Sequence, residues 1–272
     1  MTVTVTRLTK EIGGLVDGVD LREPLTDGQL DELEKALLDH LVLFARDQHL
    51  TDEQQFALAS RFGPVSVYPV ARLLGAGPRI SPIEDTADSP PDADGWHTDV
   101  TWIASPPIYA FLRAVVIPPT GGDTLWASLP AAYERLSPAM QRMCDGLTVR
   151  HWYGNLFAAA IERNLGPELV ERLRAEHPPV EHPLVRTHPE TGRKALFVAG
   201  DFMQEIVDAS REESDMLLGY LRSRVEDPNV QVRWRWREGD VAIWDERATN
   251  HRALSDHYPQ HRLMARCTVD AG

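Results

Sequence analysis

From residue 109 onward the chain is a succession of short apolar runs, at 109–117, 124–127, 147–152, 180–186, 195–198, 230–236, 241–245 and 263–269. Runs of this length, often ending in Gly or Pro, read as strands. Two helices interrupt them. One spans about 168–176, and the other runs from the capping box Ser210-Arg-Glu-Glu213 to about 225. A doubly wound parallel sheet needs a helix after nearly every strand, and helices here are too sparse for that. The pattern fits a mainly β fold with flanking helices: two sheets packed face to face, a β-sandwich or jelly roll.

The first part of the chain fits around such a core. Residues 3–6 alternate apolar and polar, as a strand does. The capping box Thr26-Asp-Gly-Gln29 precedes Leu30, Leu33, Leu37 and Leu38 at helical spacing, and 41–44 reads as a buried strand. A second box, Thr51-Asp-Glu-Gln54, leads into Phe56, Ala59 and Phe62 and stops at Gly63-Pro64. Residues 71–95 then hold four prolines, three glycines and the acids Asp92 and Asp94, which reads as a long irregular loop. Long loops in compact domains are commonly functional, so 68–95 is expected to form a lid over an active site. No linker tract and no internal repeat divides residues 1–272, so one domain is expected.

Charge narrows the partners. Lys plus Arg number 28 against 41 Asp plus Glu, a net charge of −13. Such a field repels nucleic acid and anionic membranes, so an anionic ligand must be held by a local group of Arg. Cys144 and Cys267 are too few for a disulfide scaffold and are expected as buried apolar residues. No apolar run of transmembrane length and no secretory signal core is present, so a cytoplasmic enzyme acting on a small molecule is expected.

One constellation carries chemistry. In Gly95-Trp96-His97-Thr98-Asp99, strand geometry puts His97 and Asp99 on one face and Thr98 on the other. Imidazole plus carboxylate, with a second His from elsewhere, is the facial triad of non-haem Fe(II) oxygenases. Near the end, Gly239-Asp-Val-Ala-Ile-Trp-Asp245 reads as a turn and strand, followed by His251, Arg262 and Arg266. A strand through Arg262, Met264 and Arg266 puts both guanidiniums on one face: either outward on a solvated strand, the commoner arrangement, or toward a pocket, where they would need anions to pair with. Asp245, Trp244 and Trp236 sit in apolar contexts and read as core. His151 and His182 lack a carboxylate at i+2; His188 has Glu190 there, but like them it reads as structural or surface. Trp102 and Trp126 read as packing residues, and Asp92 and Asp94 as solvated loop acids.

These residues bring the chain close to a known family. It resembles the taurine dioxygenase family of Fe(II)- and 2-oxoglutarate-dependent dioxygenases. The likeness is carried by Trp96-His-Thr-Asp-Val-Thr-Trp102, Pro106-Pro107, Gly121-Gly-Asp-Thr-Leu-Trp126 and Ala132-Tyr-Glu134. It continues through 182–192, Val232-Arg-Trp-Arg-Trp236, 239–245, His251, Arg262 and Arg266, so it runs from about 5 to 269 in one order. The resemblance implies a double-stranded β-helix, a jelly-roll variant. It implies His97, Asp99 and His251 as iron ligands, and Arg262 with Thr124 as the site for the distal carboxylate of 2-oxoglutarate. It implies Arg266 and the Val100 N–H as contacts to the substrate's anionic group, and Phe202 as a wall of that pocket. Fe(II), 2-oxoglutarate and O2 would be consumed or used in hydroxylating a C–H of a small anionic substrate, with succinate and CO2 as products. Members are commonly dimers or tetramers, so a homo-oligomer is expected.

Departures from the family bear on substrate. Tyr68 stands where the taurine enzyme has a His that helps hold the sulfonate, and Ala71 and Ala93 stand where a Tyr and an Asn lie near the taurine amine. Tyr68 donates a hydrogen bond but carries no charge. A sulfonate, alkyl sulfate or related acid less polar than taurine is therefore expected, with aryloxyalkanoates and amino-acid-derived acids as alternatives. Two other classes stay open on sequence: a zinc hydrolase, whose ligand set overlaps, and a non-catalytic jelly-roll module. Metal content and oxygen-dependent use of 2-oxoglutarate separate the three.

Overall fold

The structure, a computed structural model, describes residues 2–91 and 94–271. Its largest sheet has seven strands in the order β1 (Thr4–Arg7), β2 (Gly14–Asp17), β3 (Val42–Ala45), β13 (Val241–Asp245), β5 (Tyr109–Val116), β15 (Arg262–Val269) and β4 (Ser81–Asp85). Only β2 and β3 pair in parallel; every other neighbour is antiparallel. A three-stranded sheet, β12 (Gln231–Trp234), β6 (Thr124–Ser128) and β14 (Thr249–Ala253), faces it. A third sheet joins β11 (Met203–Ile206), β7 (Thr148–His151) and β8 (Val180–Pro183), and β9 (Val185–Thr187) pairs with β10 (Lys194–Leu196).

The large sheet is buried on both faces, which is why its central strands read as unbroken apolar runs. Along β3, Val42 and Phe44 enter the core between the sheets while Leu43 and Ala45 point the other way. The same alternation separates Ala110, Leu112 and Ala114 from Tyr109 and Phe111 in β5, and Ala242 and Trp244 from Val241 and Ile243 in β13. Between the sheets, Phe44 stacks on Trp234 at 4.2 Å and meets Trp126 edge-on at 5.2 Å. The outer face is covered by α1 (Asp27–His40) and α2 (Asp52–Ser60) through Leu33, Leu37, Leu58 and Ala59. Two sheets enclosing one core, with helices outside, make the expected jelly roll.

All three capping boxes form. Thr26 caps Gln29 N, Thr51 caps Gln54 N and Ser210 caps Glu213 N, at 3.2–3.3 Å, and each partner side chain returns a bond to the cap's N–H. The third opens α8 (Arg211–Val225). The helix expected at about 168–176 is α7 (Pro167–Glu176).

Other elements correct the sequence reading. Residues 71–95 are not wholly irregular: α3 (Pro69–Leu73) and the edge strand β4 lie there. Pro82 argues against a central strand, but an edge position tolerates it. The run at 180–186 divides into β8 and β9, and Leu184 between them donates and accepts elsewhere, to Leu147 O and from Phe197 N. Unforeseen helices α4 (Leu129–Glu134), α5 (Pro138–Cys144) and α6 (Gly154–Leu165) also form. The first two begin with Ser caps at Ser128 and Ser137 and a Pro in the first turn, a legible start signal. Cys144 and Cys267 are free and buried, as expected. Among the described residues no helix is long and apolar enough to cross a membrane.

Phe44 is fully buried between two indoles. Phe44→Ala should cost about 3–5 kcal/mol in urea unfolding, through lost burial and a residual cavity. A loss under about 1 kcal/mol would show that the inter-sheet core is not packed this way.

Candidate active site

His251 lies in β14, opposite Trp126 of β6. The segment carrying His97 meets it by a single antiparallel bridge: His97 N donates to His251 O at 2.9 Å, and His251 N to His97 O at 2.7 Å. His97 Nδ1 donates to Gly95 O at 2.9 Å, which leaves Nε2 as the lone-pair nitrogen. Thr98 points away, as expected, and its buried hydroxyl donates to Thr249 O at 2.8 Å and accepts from Asn250 Nδ2 at 3.0 Å.

His97 and Asp99 are neighbours, as expected, but not as i and i+2 of one strand. Past the bridge the chain turns, and Val100 takes a left-handed φ of 54°. A β-branched residue there is strained by about 1–3 kcal/mol, a cost tolerated mainly at functional sites. Asp99 is thereby swung beside His97, with Oδ1 3.6 Å from Nε2. One donor atom from each of His97, Asp99 and His251 lies within 4.8 Å of the others.

The electrostatics suit a cation. Burial, reinforced by the neighbouring His97, pushes the His251 imidazole well below its ordinary range, so it is neutral with a lone pair available. Its Nδ1 is buried without a hydrogen-bond partner. Burial alone would raise the Asp99 carboxyl, but Arg266 and the two imidazoles outweigh it and hold Asp99 below the usual range. Two imidazoles and one carboxylate converging on a point fit a divalent metal of the iron–zinc series.

Arg262 and Arg266 share the inner face of β15 with Met264, as expected. Their counter-anions are the protein's own. Arg266 Nη1 donates to both Asp99 oxygens at 3.0 and 2.9 Å. Arg262 is almost wholly buried; its Nε donates to Gly122 O at 3.1 Å, and Nη1 lies 3.8 Å from Asp85 Oδ2. A Cβ on Gly122, whose φ is 71°, would sit 3.0 Å from Arg262 Cδ, so glycine is needed for this approach. Two residues on, the Thr124 hydroxyl accepts from the Trp236 indole at 2.9 Å.

Tyr68 lies near Arg266, whose guanidinium carbon is 6.0 Å from the ring centre; burial pushes the Tyr68 hydroxyl up, so it stays a neutral donor. Phe202 meets His97 edge-on at 6.4 Å. Tyr68, Ala71, Val100 and Arg266 line one narrow cleft. Ala93 and Asp92 fall outside the described residues. A cleft of about 340 Å³ between Arg46, Pro118–Pro119 and Trp236 has no His, Cys, Asp or Glu on its walls, so the chemistry is placed at the His–Asp–His cluster.

The histidines read as structural are so. His151 Nδ1 lies 3.0 Å from the Thr101 hydroxyl, and His182 donates to Thr101 O at 2.7 Å, supporting the turn after Asp99 from behind. His188 pairs with Asp245 at 2.9 Å, and Asp245 also holds Arg247, so Asp245 is an ionic anchor within the core. Asp94 corrects the reading of a solvated acid: it accepts from Arg252 at 2.8–2.9 Å and from the Ser255 hydroxyl, tying its segment to β14.

The sequence reading missed Glu246. Burial and the charge of Asp99 raise its carboxyl well above the ordinary range. Oε1 accepts from the Trp244 indole at 2.8 Å and Oε2 from Asp99 N at 3.2 Å. A carboxylate in the turn between an apolar strand and a candidate ligand was the available signal. Glu246→Ala would leave two buried donors unpaired, at about 1–3 kcal/mol each. A loss of about 2–6 kcal/mol in urea unfolding is expected; an unchanged midpoint would contradict this bonding.

A jelly roll with two histidines and a carboxylate in reach of one ion is the arrangement non-haem oxygenases use. Comparison with known proteins agrees. Residues 4–268 match the family described as taurine catabolism dioxygenase TauD, TfdA. The chain is 36% identical to an alkylsulfatase of Acinetobacter baylyi over 268 residues, 97% of this chain and 83% of that protein. It is also 36% identical to an alpha-ketoglutarate-dependent sulfate ester dioxygenase of Pseudomonas putida, over 95% of this chain and 86% of the relative. The crystal structure of a taurine dioxygenase from Burkholderia xenovorans superposes with a TM-score of 0.83 at 35% identity, covering 99% of this chain and 91% of that one. The chain belongs to the TauD, TfdA family, and it is a dioxygenase of the 2-oxoglutarate-dependent class.

Proposed function

We propose that this enzyme uses Fe(II), 2-oxoglutarate and O2 to hydroxylate the carbon bearing the sulfur-linked group of a small sulfate ester or sulfonate. The observation that carries the reading is the convergence of His97, Asp99 and His251 with Arg266 directly behind Asp99. The names of the two sulfate-ester relatives support the substrate class.

Each residue then has a task. His97, His251 and Asp99 would hold the iron through two imidazole nitrogens and a carboxylate oxygen. When bound, iron supplies the oxygen activation that no side chain can. Arg262 and the Thr124 hydroxyl grip the distal carboxylate of 2-oxoglutarate, orienting its keto acid end toward the metal site. With the charge of Asp99 engaged by a metal, Arg266 is free to pair with the substrate's anionic head. The Val100 N–H and the Tyr68 hydroxyl add neutral donors to that head, and Phe202 bounds the pocket on the His97 side.

The balance closes. A sulfate ester, O2 and 2-oxoglutarate give succinate, CO2 and a carbon carrying both hydroxyl and sulfate. That carbon collapses to an aldehyde, with sulfate leaving and the hydroxyl proton released. A sulfonate would release sulfite in the same way.

Succinate formation under Fe(II) and air should rise with a medium-chain alkyl sulfate, rise less with taurine, and fall to background in Asp99→Ala. Arg262→Ala should raise the KM for 2-oxoglutarate about 30-fold or more, as expected for loss of a buried charge contact. Full activity in Asp99→Ala would sink the ligand assignment. A response to aryloxyacetates alone would move the substrate class to carboxylates.

A further inference from the structure

The cleft leading to Arg266 carries a second guanidinium that the roles above leave unused. Arg79 lines it together with Tyr68, Ser81, Val100 and Arg266. Among the described residues Arg79 has no hydrogen bond or ion pair of its side chain. Its placement has a simple cause. β4 is the sheet's edge strand, and its first residue, Ser81, stands in register with Arg266 of β15. Register partners project to one face, and in extended chain the residue two before Ser81 projects there as well.

The cleft is almost shut, with about 20 Å³ of open volume, room for a water and little more. Pockets that take a small organic ligand measure about 300 Å³ or above. Substrate is therefore admitted only if one wall gives way. The wall bearing Arg79 is the exposed stretch between α3 and β4, where Gly75 and Gly77 have open space around them.

We infer that Arg79 is an anion clamp carried by this wall, which closes on the substrate's head and favours sulfate esters and sulfonates over carboxylates. The inference rests on the substrate class proposed above. A sulfate or sulfonate head offers three terminal oxygens. Tyr68, Val100 and Arg266 are the more buried walls of the cleft and Arg79 the exposed one, which leaves an outer oxygen for Arg79. A carboxylate has two oxygens and none to spare. In a chain of net charge −13, a cation facing this cleft is also what draws an anionic substrate toward it.

The test compares wild type, Arg79→Ala and Arg79→Lys. Binding of hexyl sulfate and of hexanoate is measured by calorimetry on protein loaded anaerobically with Mn(II) and N-oxalylglycine, and KM and kcat for hexyl sulfate are measured in the Fe(II) enzyme. Arg79→Ala should weaken hexyl sulfate about 3- to 5-fold in both Kd and KM, the upper range of an exposed ion pair. Its kcat and its KM for 2-oxoglutarate should stay within about twofold. Arg79→Lys should recover most of the loss, and hexanoate binding should be unchanged. An unaltered Kd for hexyl sulfate in Arg79→Ala overturns the clamp, as does an equal loss for hexanoate or a parallel rise in the 2-oxoglutarate KM. A wild type that binds neither hexyl sulfate nor taurine fails before any variant is compared, and that result overturns the substrate class instead.

Discussion

Two backbone hydrogen bonds between His97 and His251 hold the site together. They join the end of a proline-rich segment to a strand deep in the jelly roll, and they do so at the two residues whose side chains must meet. Because the bridge is one pair long, the chain is free to turn immediately afterwards. The left-handed Val100 makes that turn, and Asp99 comes round to face both imidazoles. The surrounding bonds keep the turn in place: Thr98 to Thr249, Glu246 to Asp99 N, and His182 to Thr101. Each is buried, so none is lost to water, and together they over-determine a conformation that a valine would not otherwise adopt.

Charge at this site is finely matched. Arg266 holds the Asp99 carboxyl below the usual range against burial, while burial and the charge of Asp99 raise the Glu246 carboxyl on its other side. A guanidinium and two carboxyl groups share the space. A divalent ion on Asp99 would replace the guanidinium as its partner and leave Arg266 in need of another anion. That exchange couples metal binding to the affinity of the adjoining cleft for an acid, and it follows from the position of one arginine.

Much of this was legible in the sequence, for identifiable reasons. The capping boxes at Thr26, Thr51 and Ser210 act locally and formed as read. The apolar runs of β5, β13 and β15 are buried on both faces and therefore stand out. The Arg262–Met264–Arg266 face depends only on the period of a strand, and it held. Two strands were missed because they depend on tertiary partners. β4 contains Pro82 and alternates weakly, and only its pairing with β15 makes it a strand. β14 carries Asn250 and His251, polar residues that bury because Thr98 and Val198 bond the one and the His97 backbone the other. Asp94 looked like a solvent-facing acid until Arg252 and Ser255 came to it from 158 and 161 residues away.

The central claim is that His97, Asp99 and His251 form one metal centre next to the 2-oxoglutarate site. The most direct measurement is an anaerobic titration of Fe(II) into protein holding 2-oxoglutarate, followed by the visible charge-transfer band of the chelated keto acid. The account predicts a band that saturates at about one equivalent of iron in wild type and is lost in Asp99→Ala and in His251→Ala, while Arg79→Ala keeps it. No band in wild type, or a full band in either ligand variant, would contradict it.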